Sequence, residues 1–242
     1  MENNIKEEFI STLSHEIRTP LTSIKGFSQT MLNSWDVLDD DKKKEFLKII
    51  QEQSQRLINL VENVLNVARM DSDNDNLVLT KVNTAVIIQN CIDIVSINYK
   101  NFKINLKKPK TELFCYVDTN KTQQILINIL DNALKYSNNS DIIDVEISNK
   151  GDFNVFSVKN YGSYIEKEEI EHIFEKFYRV DSYIRTTTQG SGLGLYIANN
   201  LAKKMHGHIE AKSDKSAMIT EFLIYLPVYE VEKAKKCIKQ EF

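Results

Sequence analysis

The 242-residue sequence predicts an α-helical hairpin, paired into a dimeric four-helix bundle, followed by an α/β sandwich of the α+β class. Three observations lead there. Residues 1–70 hold one proline and one glycine, and their apolar residues recur at spacings of three and four. The polar run Asp71-Ser72-Asp73-Asn74-Asp75-Asn76 ends that pattern. Beyond it, helix-period segments mix with short strand-like runs, two of them joined by a turn, which suits a sandwich better than a doubly wound parallel sheet.

In the first helix Leu13, Ile17, Leu21, Ile24, Phe27 and Met31 line one stripe. In the second, Phe46, Ile50, Leu57, Leu60, Val64 and Val67 do so, with Gln53 in the remaining seam position. At 1.5 Å per residue each helix is about 40 Å long. Residues 33–41 break the period, and Asp40 or Asp41 is placed to cap the second helix. A lone hairpin cannot bury its apolar stripes well, whereas two copies make a four-helix bundle, so a homodimer is expected.

In the second part, 86–99 and 119–137 read as helices, and 113–117, 143–148 and 153–158 as strands. Asn149-Lys150-Gly151-Asp152 turns between the last two strands. Residues 166–174 and 193–205 read as helices, and 218–226 as a closing strand ended by Pro227. The expected organisation is a helical domain over 1–72, a hinge over 73–76, a sandwich domain over 77–228 and a polar, Lys-rich tail over 229–242.

Bulk composition excludes several classes. Lys+Arg of 31 against Asp+Glu of 34 gives a net charge of −3, so no basic surface advertises nucleic acid. No apolar run approaches the roughly 20 residues of a membrane span. Cys91, Cys115 and Cys237 lie far apart and are odd in number, which favours a reducing compartment over a disulfide framework. A cytoplasmic setting is expected. No His and Cys set has zinc-ligand spacing.

Three features carry chemistry. Gly190, Gly192 and Gly194, three of the chain's seven glycines, fall within five residues at the start of a helical pattern. Such a turn is either a plain helix start or a cradle of bare N–H groups for an anion. On the first helix His15 lies off the apolar seam, with Glu16 beside it to orient the imidazole and Pro20 to bend the helix. On 119–137, Asn128, Asn132 and Lys135 fall within about 60° of one another. Two amides and an ammonium on one stripe form either a solvated face or a Mg²⁺–phosphate site.

The run from Phe9 to Leu21, with Ser14-His15-Glu16-Ile17-Arg18-Thr19-Pro20-Leu21, resembles the phosphoacceptor box of sensor histidine kinases. Asn128 to Ser137 is similar to that family's asparagine box, Ile173 to Arg179 to its phenylalanine box, and Gly190 to Leu195 to its last glycine box. The resemblance implies a GHKL-type ATP-binding domain, with ATP and Mg²⁺ as cofactors. His15 would accept the γ-phosphoryl group, Glu16 would assist, and Thr19 would place water for dephosphorylating a response regulator. Asn132 would be the principal Mg²⁺ ligand, with Asn128 positioning metal and phosphates. Lys135 and Tyr136 would face the nucleotide, Arg179 would meet phosphate, and Gly190, Gly192, Leu193 and Gly194 would cradle the phosphates. Phe174 and Phe177 would be packing anchors, and 180–189 a mobile lid. The implied partners are a second copy and a receiver domain, and the pattern admits an N-terminal sensor or transmembrane region outside this chain.

The first glycine box departs from the family's D-x-G-x-G-I. Here Asn160-Tyr161-Gly162-Ser163-Tyr164-Ile165 puts asparagine where aspartate accepts from the adenine amino group, and tyrosine where a second glycine stands. Asn160, Gly162 and Ile165 remain the expected adenine-side residues, and Asn160→Asp is expected to preserve or improve ATP binding. The alternative reading is a weak or inactive pseudokinase acting as a dimeric regulatory binding module.

Overall fold

The computed structural model describes residues 2–70, 77–137, 140–180 and 192–229, with only the helical backbone at 2–12, 69 and 70. The proposed hinge, most of the lid, Gly190, Cys237 and nearly all of the tail lie outside the described residues. The chain divides into two compact units, Met1–Asp73 and Asn74–Phe242.

The first unit is a hairpin of α1 (Glu2–Ser34) and α2 (Asp40–Met70). Met31, Leu60 and Val67 are buried between them, and the Phe27 and Phe46 rings meet at 5.1 Å. The cap of α2 is Asp39 rather than Asp40 or Asp41, because its Oδ1 accepts from Lys42 N at 2.7 Å. Asp40 and Asp41 instead occupy the first turn, where their charge favours the positive end of the helix dipole. Helix α1 is assigned continuously through Pro20, which is buried, while its neighbour Leu21 is 47% exposed. Leu21 therefore leaves the expected intrachain seam.

The second unit is a five-stranded mixed sheet covered on one face by three helices. Strand β1 (Leu79–Asn83) runs into α3 (Thr84–Ser96), and Asn83 accepts from Ala85 N and Val86 N as its N-cap. Next come β2 (Lys103–Lys107), β3 (Phe114–Asp118) and α4 (Thr119–Lys135), capped by Asp118. Strands β4 (Ile142–Lys150) and β5 (Phe153–Tyr161) form a hairpin turned at Gly151. Helix α5 (Gly194–Lys204) and strands β6 (His208–Asp214) and β7 (Ile219–Pro227) complete the unit. The sheet order is β2-β4-β5-β7-β6, parallel only at β2–β4, and β1 pairs with β3 apart from it.

The core lies between the sheet and the helices. Ile125, Leu126, Ile129 and Leu130 of α4 are fully buried, each stabilising by about 2 kcal/mol. Opposite them stand Ile143, Val145, Phe156, Val158 and Ile224. The central helix α4 thus has one face committed to the core and its asparagine stripe left at the edge.

Differences from the sequence expectation have physical causes. Strands β2 and β6 are the sheet's edges, short and with few apolar residues, so the sequence reading leaves them unassigned. Residues 166–174 form successive turns with Glu169 N→Glu166 O and His172 N→Glu169 O bonds, not an α-helix. Four glutamates crowd that stretch and only Ile173 is buried, too little to stabilise a helix. At the end of α5, His206 adopts positive φ, 60°. Gly207 is needed for space, since a Cβ there would lie 2.2 Å from the Tyr225 carbonyl oxygen. Gly207→Ala is therefore expected to destabilise the second unit by about 3 kcal/mol, read as a lowered denaturation midpoint.

Candidate functional site

On the hairpin, His15 is exposed, as its position off the seam implies. Adjacent helix residues point about 100° apart, so Glu16 faces α2 instead of following the imidazole. Its Oε2 is bound by Arg56 Nη2 at 3.1 Å, where sequence adjacency had pointed to the His15 ring. The pair is part-buried, with side chains 23% and 15% exposed, so the contact is better shielded than a surface ion pair. Arg56 Nη1 is buried without a hydrogen-bond partner among the described residues. Thr19 Oγ1 donates to the His15 carbonyl at 3.1 Å, which holds its hydroxyl on the helix beside the histidine.

In the second unit α4 and α5 build one end of a site. A Cβ on Gly194 would lie 3.8 Å from Asn128 Oδ1, so the start of α5 closes directly over the Asn128 amide. Leu193, the N-cap of α5, makes no side-chain capping bond, and its side chain is fully buried. Leu193 thereby anchors the turn, while the first N–H groups of α5 carry the positive end of its dipole. Asn128 Nδ2 is buried and has no partner among the described residues, which costs about 1–3 kcal/mol unless another group completes it.

Asn132 follows one turn later, and Lys135 lies in the last turn of α4. Asp131 Oδ2 holds Lys135 Nζ at 2.5 Å, and its Oδ1 accepts from Tyr99 Oη at 2.7 Å. Burial and the Asp131 charge push the Tyr99 hydroxyl well above its ordinary pKa, so it stays a donor. The stripe is thus one ammonium and two amides, with the one carboxylate paired on its flank.

The last glycine box is braced by the phenylalanine box through backbone. Phe177 N donates to Gly192 O at 3.1 Å, Phe177 has φ of 65° and Gly192 has φ of 68°. A Cβ on Gly192 would lie 2.7 Å from the Phe177 carbonyl carbon, so glycine is required there. Phe174 and Phe177 are only half-buried, and Ile173 is the buried anchor of this segment. Arg179 is half-buried on the same segment.

At the other end, Asn160 and Gly162 close β5. Gly162 has φ of 87° and donates N–H to Met218 O at 2.8 Å. Asn160 is 1% exposed, and its Nδ2 donates to Tyr136 O at 3.3 Å and Ser163 Oγ at 3.0 Å. Ile165 N donates to Ser213 Oγ at 2.8 Å. Tyr164 does not obstruct this end by lying loose. Lys215 Nζ sits 4.9 Å from its ring centroid, and both Tyr164 and Lys215 bond Glu166, at 3.1 and 2.7 Å, which anchors the ring on the β6–β7 turn.

The structure therefore joins Asn128 to Gly194, Gly192 to the phenylalanine box, and Tyr136 to Asn160. Arg56, Asp131, Ser163 and Thr220 are site neighbours that sequence reasoning missed. Arg56 and Thr220 act on partners that folding brings near, whereas Asp131 and Ser163 lie inside the boxes themselves, four and three residues from Lys135 and Asn160. Among the described residues no cluster of three or more His, Cys, Asp and Glu could hold a metal. A divalent ion here would rest on amide oxygens and a ligand's phosphates.

Comparisons with known proteins agree with this arrangement. Residues 5–73 match the His Kinase A (phospho-acceptor) domain. Residues 117–230 match the histidine kinase-, DNA gyrase B-, and HSP90-like ATPase family. The chain is 32% identical over 231 residues to Sensor protein SrrB of Staphylococcus aureus, covering 93% of this chain and 38% of that protein. It thus spans well under half the length of the relatives it matches. Among solved structures, histidine kinase AdeS of Acinetobacter baumannii aligns with a TM-score of 0.69 at 18% identity, over 89% of this chain and 98% of that one. Histidine kinase ThkA in complex with response regulator protein TrrA aligns with a TM-score of 0.72 at 23% identity, over 94% of this chain and 63% of that one. Both likenesses concern the fold.

Proposed function

The chain belongs to the sensor histidine kinases, and on that premise we propose that it binds Mg·ATP in the second unit, phosphorylates His15 and passes the phosphoryl group to a response-regulator aspartate. The observation that carries the reading is the unsatisfied Asn128 amide under the glycine-started helix α5, beside Asn132 and Lys135. Asn132 and Asn128 would hold Mg²⁺, which when bound neutralises charge on the β- and γ-phosphates. The first turn of α5, Gly192 and Gly194, with Gly190 beyond the described residues, would receive phosphate oxygens. Lys135 would exchange part of its contact with Asp131 for a phosphate, and Arg179 would add a second positive charge. Asn160, Gly162 and Ile165 would border the base, and Tyr136 would face the nucleotide.

At His15 the exposed imidazole nitrogen attacks the γ-phosphorus as the bond to the ADP oxygen breaks. The ring must lose its other proton for the phosphohistidine to be neutral at nitrogen, and Glu16 is the nearest acid–base group in sequence. Arg56 holds Glu16 Oε2 toward α2, so Glu16 would turn from that contact to take the proton. Catalysis on this reading is positioning and charge stabilisation. Thr19 would place water for the reverse hydrolysis of a regulator's phosphoaspartate.

We also propose that the hairpin dimerises. Leu47, Ile58, Val61 and Leu65 of α2 are about half-exposed, and Leu21 of α1 joins them. Two such stripes brought together form the core of a four-helix bundle. A calorimetric titration of the chain with Mg·ATP tests the nucleotide site. Saturable binding near one ATP per chain, weakened by EDTA, is expected; no heat at millimolar ATP would refute the reading.

A further inference from the structure

The two departures in the first glycine box differ in kind. Tyr164 is tied outward on the β6–β7 turn, but Asn160 is built into the site by bonds that its amide alone can make. We propose that the Asn160 amide is locked to present only an acceptor to the purine 6-position, that Ser163 is the positioning residue of this lock, and that aspartate cannot replace asparagine in this chain. The proposal rests on the nucleotide-binding reading above and adds what holds the adenine-side acceptor in place.

The lock begins at the end of α4. Tyr136 is the C-cap of that helix. Carbonyls at a helix C-terminus lack intrahelical donors and carry the negative end of the dipole. Asn160 Nδ2 donates to the Tyr136 carbonyl at 3.3 Å. A backbone carbonyl only accepts, so the nitrogen of the Asn160 amide belongs on that side. Its second proton goes to Ser163 Oγ at 3.0 Å. Both donors are then spent inside the protein, and Oδ1 has no partner among the described residues.

Ser163 is itself held in place. It is 8% exposed, and its carbonyl accepts from Thr220 Oγ1 at 3.2 Å. Thr220, 3% exposed, sits on β7 with its Oγ1 3.4 Å from Ser213 Oγ, the group that also receives Ile165 N. Strands β5, β6 and β7 and the loop between Gly162 and Ile165 thus converge on one amide. Its free oxygen can accept from an exocyclic 6-amino group but opposes a 6-keto oxygen with a lone pair.

A carboxylate at position 160 reverses each of these terms. It donates nothing, so the Tyr136 carbonyl loses its partner. It would also place a negative charge, in a site 1% exposed, against the negative end of α4. The family's usual aspartate is therefore the wrong residue here, contrary to the expectation drawn from sequence.

The test titrates wild type, Ser163→Ala and Asn160→Asp with Mg·ATP and Mg·ITP, which differ at the purine 6-position, alongside far-UV circular dichroism. Wild type is expected to prefer ATP by about tenfold or more. Ser163→Ala should keep its fold, weaken ATP severalfold and leave ITP nearly unchanged, so the preference falls. Asn160→Asp should weaken ATP by at least about tenfold, and failure of the Asn160→Asp variant to fold would equally show that the carboxylate is not tolerated. Asn160→Asp matching wild type for ATP, or Ser163→Ala retaining the full preference, would overturn the lock. Wild type that binds ATP and ITP equally refutes this inference alone, whereas wild type that binds neither refutes the nucleotide site as well.

Discussion

Asn132→Ala is expected to abolish measurable Mg·ATP binding, a loss of at least about 100-fold. Asn132 lies one turn beyond Asn128 on α4, with its side chain at the site edge and not in the core. Alanine is the best helix former, so the substitution leaves α4 intact and removes only the amide oxygen that a divalent ion would use. Calorimetry should show no Mg·ATP heat while thermal unfolding without ligand is unchanged. The arrangement also predicts an asymmetry between metal and base. Asn160 bonds the Tyr136 carbonyl and not Asn132, so Asn132→Ala should lose most of its effect when ADP is titrated in EDTA.

His15→Gln is expected to eliminate phosphorylation completely while leaving nucleotide binding untouched. His15 is exposed on α1, and glutamine keeps the helix, so stability should shift by no more than about 0.5 kcal/mol. The variant separates the two units functionally. A chain that still binds Mg·ATP with wild-type affinity, yet takes up no label, has lost the acceptor and not the donor. Retained label in His15→Gln would move the acceptor to another residue.

The parts of this chain that are legible in sequence are those whose signal is local. Helices α1 and α2, of 33 and 31 residues, carry the apolar period over many turns. The stripe of Asn128, Asn132 and Lys135 is readable because helical spacing alone puts those side chains on one face. Strand β2 carries only Ile104 and Leu106 as apolar residues, and β6 only Ile209 and Ala211, so each alternates over too few apolar positions to stand out from loop. The turns at 167–174 read as helix because their composition is helical, whereas only Ile173 is buried.

Long-range contacts are invisible for a different reason. Arg56 meets Glu16 across 40 residues, and Asn160 meets Tyr136 across 24. Nothing near Glu16 in sequence announces an arginine from the opposite helix. Likewise, Gly192 reads as part of a phosphate cradle, but its backbone is also pressed against Phe177. The motif names the residue; only the fold shows the second constraint on it.

ATP bound by the second unit is expected to phosphorylate His15 of the first. The most direct measurement incubates the wild-type chain with Mg·ATP labelled at the γ-phosphorus, then maps the modified residue by acid sensitivity and mass spectrometry. An acid-labile, alkali-stable phosphoryl group is expected on the peptide containing His15. A folded, dimeric chain that binds Mg·ATP and yet carries no phosphoryl group, or carries it on a serine or threonine, would contradict that expectation.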